Sequence, residues 1–142
     1  MQHALNLTVS TSDSDPLARP ASYGYYPHDA EAIRVRPDRA RADMAATFAH
    51  ELAYAATHDA CAGMPRDVCE VVAESVAYAV CSRFGLDLSL RSVDYVASWG
   101  HPQGHDPEAF RLGMAVIHDG AASLIDVIEA AMTNAGEFEL AA

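Results

Sequence analysis

The chain has 142 residues, of which 51% are hydrophobic, so it can bury one core but is too short for two domains of ordinary size. Its 20 acidic residues against 9 basic ones give a formal net charge of −11, which disfavours direct binding to nucleic acid phosphates. No apolar run approaches the roughly 18 residues of a membrane span, and the first residues do not resemble a secretory signal. We therefore expect a cytoplasmic domain that binds neither nucleic acid nor a membrane.

The first part of the chain predicts a lead-in followed by two strands. Residues 1–22 are mainly polar and are expected to be mobile, with one short strand at residues 4–9. The aromatic residues of segment 23–26 and the β-branched residues of segment 32–36 predict two strands. The Pro-His-Asp sequence between them predicts a turn. These two strands are expected to form a small β-hairpin or to join a small sheet.

Hydrophobic residues at helical spacing predict four helices after the strands, at residues 39–58, 66–84, 90–99 and 107–134. The first helix carries the stripe Met44, Phe48, Leu52, which is expected to pack on the second, and the second is apolar nearly all round and expected to be buried. The predicted fold class is α+β. One domain spans residues 23–134, and residues 135–142 are expected to form a loose C-terminal tail.

The most informative motif is His50-Glu51-Leu52-Ala53-Tyr54 on the first helix. A His-Glu-x-x-His helix places two imidazoles on one face, where both bind zinc, and its glutamate is the general base for zinc-bound water. Here the fifth position is Tyr54 instead of histidine. On spacing alone, a metal site and a solvated polar helix face both remain open.

Two carboxylates, Glu70 and Glu74, interrupt the otherwise apolar second helix. Burying a carboxylate without a partner is costly, so both residues need partners. Arg66, Arg83, backbone amides and a metal ion all remain candidates. The three cysteines, at spacings of eight and twelve, do not indicate a disulfide framework, and we expect them to be small core residues.

Four stretches in the order found here resemble the compact zincin-like metallopeptidase domains of actinobacterial and phage proteins: GYYPHDAEAIRVRPD, ATFAHELAYAATH, EVVAESVAYAVCSRFGLD, and VDYVASWG with HDPEAF. These domains are related to the C-terminal domain of ArdC-type antirestriction proteins and more loosely to the ImmA/IrrE group. The resemblance implies a zincin helix pair closed by two further helices. It also implies that His50 and Glu74 are metal ligands and that Glu51 is the general base.

The departure from this family is Tyr54, which stands where the family has its second histidine ligand. Because a phenol with a pKa of about 10 is a poor zinc ligand at neutral pH, we expect weak zinc binding or none. His101 and His105 are candidate replacement ligands. We expect a degenerate, non-catalytic domain of a phage or mobile element that binds a protein partner. The alternatives are an active zinc-dependent peptidase that cleaves a specific protein, and an acidic antirestriction or inhibitor protein that acts through its surface.

Overall fold

The computed structural model describes residues 8–11, 24–25, 32–36, 38, 40–88 and 107–140. Its elements, in chain order, are β1 (Thr8–Thr11), β2 (Gly24–Tyr25), β3 (Ala32–Val35), α1 (Arg41–Thr57), α2 (Arg66–Arg83) and α3 (Pro107–Leu140). The architecture is α+β and mostly helical, which agrees with the predicted class. The predicted helix at 90–99 and the loop that carries His101 and His105 lie outside the described residues.

The three strands form one sheet in the order β1-β3-β2. β1 runs parallel to β3, with Thr8 opposite Ala32, and β2 runs antiparallel to β3, with Gly24 opposite Val35. The predicted strand near residues 4–9 is thus centred a few residues later, at β1. Side chains alternate between the faces of a strand, and Ile33 and Val35 of β3 are both buried. The sheet contacts α1 through β2 and β3.

The face that α1 buries differs from the predicted one. Its buried residues are Ala46, Thr47, Ala49, Ala53 and Thr57, whereas Met44, Phe48 and Leu52 are only half-buried. The distance between packed helices depends on the side chains at the contact. A face of alanines and threonines therefore lets α1 approach α2 closely, and the larger side chains lie beside that contact. The Met44, Phe48, Leu52 stripe is therefore not the buried face of α1, and of its three residues only Leu52 packs against the core cluster.

Helix α2 is the centre of the core and packs against both α1 and α3. The prediction that this helix is buried, made from its nearly continuous apolar surface, is confirmed. Its eight buried residues are Val68, Val71, Val72, Ala73, Val76, Ala77, Val80 and Cys81. It ends as predicted at Gly85, whose φ of 80° is the left-handed conformation that glycine adopts readily. There Leu86 N–H donates to the Cys81 carbonyl at 2.8 Å, which closes the last turn.

Helix α3 packs on α2 and more lightly on α1. Its inward face includes the buried residues Ala121 and Leu124. Gly120 lies at a close contact with α1, because a Cβ built there would lie 2.8 Å from a methyl carbon of Thr57. The helix continues to Leu140 and thus beyond its predicted end near residue 134. No helix in the described parts of the chain is long and apolar enough to cross a membrane.

Candidate functional site

His50 of α1 lies between two carboxylates of α2. Its Nδ1 donates a hydrogen bond to Oε2 of Glu74 at 2.8 Å, and its Nε2 lies 3.6 Å from Oε2 of Glu70. The two glutamates are one helical turn apart, so they project from the same side of α2 toward the imidazole. The fold thus brings together the predicted site residues His50 and Glu74. We call these three side chains, His50, Glu70 and Glu74, the carboxylate–imidazole cluster.

The surroundings of His50 favour its protonated form. Burial by itself lowers the pKa of the imidazole, but the carboxylates of Glu70 and Glu74 and the charge of Glu51 outweigh it and raise that pKa to about 9. His50 is therefore an imidazolium at neutral pH, and both of its ring nitrogens carry protons. In this form the three side chains make a partly buried group of paired charges.

His50 and Arg66 both stabilise the negative charge of Glu70. The interaction with His50 is the main reason that the pKa of Glu70 is lowered; burial opposes this, and the charge of Arg66 adds to it. Arg66 Nε lies 3.6 Å from Oε1 of Glu70, one turn earlier on α2. Of the two arginines considered from the sequence, Arg66 thus contacts a helix carboxylate of the cluster, whereas Arg83 forms an ion pair with Glu129 of α3.

Glu51 and Tyr54 follow His50 on α1 and are both half-buried. Glu51 contributes charge near the imidazole. Burial and then the nearby charge of Glu70 raise the pKa of the Tyr54 phenol above its usual value of 10.0. Tyr54 therefore remains protonated at neutral pH, which makes its oxygen a weak metal ligand.

A pocket of about 240 Å³ opens beside the cluster, at the connection between α1 and α2. Tyr54 and His58 line it from the end of α1, and Arg66 and Cys69 line it from the start of α2. The rings of Tyr54 and His58 are 6.3 Å apart between centroids. Since Arg66 lines this pocket and also contacts Glu70, the pocket and the cluster adjoin each other.

The donor set does not fit a catalytic zinc ion within the described residues. A catalytic site holds zinc through three protein ligands, whereas the described part of the chain contains no group of three His, Cys, Asp or Glu side chains able to hold one ion. Nε2 of His50 and Oε2 of Glu70 are 3.6 Å apart, a spacing that suits two donors of one ion. Nδ1 and Glu74 are already joined by a direct hydrogen bond at 2.8 Å.

Glu70 is the residue that the sequence analysis did not assign to the site. It was considered only as a carboxylate in need of a partner, and Glu74 alone was assigned as a ligand through the family resemblance. The spacing of four between the two residues was the available signal, because it places both carboxylates on one face of α2.

Comparisons with known proteins give little further information. No protein-family model matches the chain, and no solved structure matches it. The uncharacterized protein pXO2-81 of Bacillus anthracis is similar to it, with 35% identity over 84 residues. The match covers 56% of this chain and only 14% of the Bacillus anthracis protein. The chain is thus similar to one part of a much longer protein.

Proposed function

We propose that this chain is a degenerate zincin-like metallopeptidase domain that has kept the helix pair of the family but lost hydrolysis. In this proposal it is a cytoplasmic, non-catalytic module of a phage or mobile element that binds a protein partner. The observation that supports the loss of hydrolysis is that the described residues place a single carboxylate, that of Glu70, beside Nε2 of His50, while Nδ1 is hydrogen-bonded to Glu74. A catalytic zinc ion needs three protein donors.

The residue at the second histidine position supports the same proposal. In a His-Glu-x-x-His helix the last histidine supplies a donor from the same face as the first. Tyr54 occupies that position, and its phenol stays protonated beside Glu70. In place of a second imidazole the domain therefore has a half-buried aromatic ring at the border of the pocket, a feature suited to contacts with a partner protein.

The proposed protein-binding role rests on the pocket and on the similarity of the chain to one part of a longer protein. The pocket presents aromatic and cationic groups, Tyr54, His58 and Arg66, on a chain that is otherwise strongly acidic. The similarity to a small part of a longer Bacillus anthracis protein is in keeping with a domain that works as one module among others. The partner in this proposal is a protein surface with an acidic or aromatic side chain that enters the pocket.

A zinc titration by calorimetry, on protein stripped of metal with a chelator, tests the loss of the metal site. We expect little zinc binding by the wild type, the same by Tyr54→Phe, and a clear gain in affinity by Tyr54→His, because the new imidazole adds the missing donor. Tyr54→Phe is the matched control, since it keeps the ring and removes only the hydroxyl. One equivalent of zinc in the wild type, weakened by Tyr54→Phe, would reject the proposal.

One observation favours an active zinc-dependent peptidase as a second candidate. The 3.6 Å between Nε2 of His50 and Glu70 is too long for a hydrogen bond and suits two donors of one ion, each bound at about 2.0–2.2 Å. Glu74 would then orient the imidazole through Nδ1, as carboxylates beside metal-bound histidines do. This candidate still needs a third donor, for which His101 and His105 are available outside the described residues. The same zinc titration distinguishes the two candidates.

A further inference from the structure

Two of the three cysteines meet at the connection between α1 and α2. Cys61 belongs to the turn after α1, and Cys69 lies in the first part of α2. The Cys69 thiol is 3.6 Å from the Cys61 carbonyl oxygen and 4.0 Å from that of Met64. Cys61 and Cys69 are therefore a thiol pair and not two isolated core residues.

The pair lines a pocket and the third cysteine does not, although Cys61 and Cys81 are both buried. Cys61 and Cys69 both line the pocket of about 240 Å³, and Cys69 is half-buried, so a small molecule entering the pocket can reach it. Cys81 lies further along α2, is buried in the core and does not line this pocket. The structure thus offers an internal comparison between two paired thiols and one isolated thiol in the same chain.

We propose that Cys61 and Cys69 form a reversible intramolecular disulfide by exchange with a low-molecular-weight disulfide such as oxidised glutathione. Neighbouring thiols that open to solvent are the ones that form labile, regulatory disulfides. The bond requires the two sulfur atoms to approach to about 2.05 Å. The backbone N–H of Cys61 donates to the Thr57 carbonyl and its own carbonyl accepts from Met64 N–H, so the approach of the two sulfur atoms comes from rotation of the cysteine side chains.

The exchange has two balanced steps. The Cys69 thiolate attacks one sulfur of the small disulfide, forming a mixed disulfide and releasing one thiolate. Cys61 then loses its proton to water and attacks the Cys69 sulfur, which forms the protein disulfide and releases the second thiolate. Two protein thiols are oxidised, and one small disulfide is reduced to two thiols.

The environment of Cys61 supports this order. Burial and then the charge of the neighbouring Cys69 raise the pKa of the Cys61 thiol to about 12. Cys61 is therefore a poor first nucleophile, because the thiolate is the reactive form.

The experiment treats the folded full-length chain with oxidised glutathione, blocks the remaining thiols with N-ethylmaleimide, and measures the intact mass and the tryptic peptides. Trypsin cleaves after Arg41, Arg66 and Arg83, so Cys61 is found in peptide 42–66, whereas Cys69 and Cys81 share peptide 67–83. We expect the two peptides to be cross-linked, with one thiol blocked and with full reversal by dithiothreitol. The Cys81→Ala variant should keep this cross-link, and the Cys69→Ala variant should lose it.

The unfolded chain provides the reference. In urea the same treatment should give a mixture of the three pairings, because the contact between Cys61 and Cys69 is lost, whereas the folded chain should give one. Circular dichroism and thermal unfolding show whether each variant is folded, and the wild-type peptide pattern is informative without them. Loss of the cross-link in Cys81→Ala, an addition of glutathione to Cys69 without closure, or three unreacted thiols in the folded chain would each overturn the proposal.

Discussion

Raising the pH through the alkaline range should destabilise the protein by removing the charge of His50. The groups that face this imidazole are Glu51 on its own helix and Glu70 and Glu74 on α2, with Arg66 behind Glu70. Burial of His50 opposes its charge, yet the three carboxylates raise its pKa from 6.5 to about 9 in the folded protein. The unfolded chain has no such cluster, so the imidazole there titrates near its ordinary value.

The sign and size of the effect follow from these two values. A folded-state pKa above the unfolded one means that the contribution to stability is complete below about pH 6.5 and is lost as the pH rises through about 9. Each pKa unit corresponds to about 1.4 kcal/mol, so the cluster contributes at most about 3 kcal/mol to the free energy of unfolding. Solvent at the exposed quarter of the His50 side chain lowers this upper limit.

Urea unfolding followed by circular dichroism, at a series of pH values and with a chelator present, measures the loss. The difference between the wild type and His50→Gln isolates His50 from the other titrating groups. In Glu74→Gln the fall should begin at a lower pH, because the hydrogen bond at Nδ1 then joins a neutral amide. Proton NMR of the imidazole provides a direct pKa. An identical pH dependence in the wild type and His50→Gln, or a measured pKa for His50 below 7, would show that the cluster does not exist as described.

Two further predictions concern the packing of α3. Gly120→Ala should lower the free energy of unfolding by about 1 kcal/mol, although alanine favours helices. The new Cβ would lie 2.8 Å from the Thr57 methyl carbon, and the Thr57 side chain is fixed by the hydrogen bond that its hydroxyl donates to the Ala53 carbonyl. Ala122→Gly, at an exposed position nearby, reports the helix propensity alone, and stabilisation by Gly120→Ala would contradict the close contact. Leu124→Ala should cost about 2–5 kcal/mol by the same urea assay, and the exposed Leu112→Ala should cost far less. Similar losses in both variants would mean that α3 is packed on a different face.

The sequence alone was sufficient for the two helices that carry the site. Local signals define them: an apolar repeat of three to four residues, Pro65 before α2 and Gly85 after it. The predicted ranges 39–58 and 66–84 differ from α1 and α2 by one or two residues at an end. The predicted end of α3 near residue 134 was wrong, because the helix continues through Gly136 to Leu140.

The sequence also predicted His50 and Glu74 as site residues, but it did not determine which ring nitrogen of His50 contacts which carboxylate. That Glu74 faces Nδ1 and Glu70 faces Nε2 depends on the rotation of α1 against α2. That rotation is set by which face of α1 is buried, and there the choice of Met44, Phe48 and Leu52 over the alanine face was wrong.

The reason is that hydrophobicity ranks side chains by the area they can bury, which favours large residues. The packing of two helices depends instead on how closely their backbones approach, which favours alanine and threonine at the contact. The contact between Cys61 and Cys69 has the same origin, since it arises where the chain turns between two closely packed helices. The sequence by itself determined where the helices lie along the chain, and the close approach of α1 to α2 decided which side chains form the site.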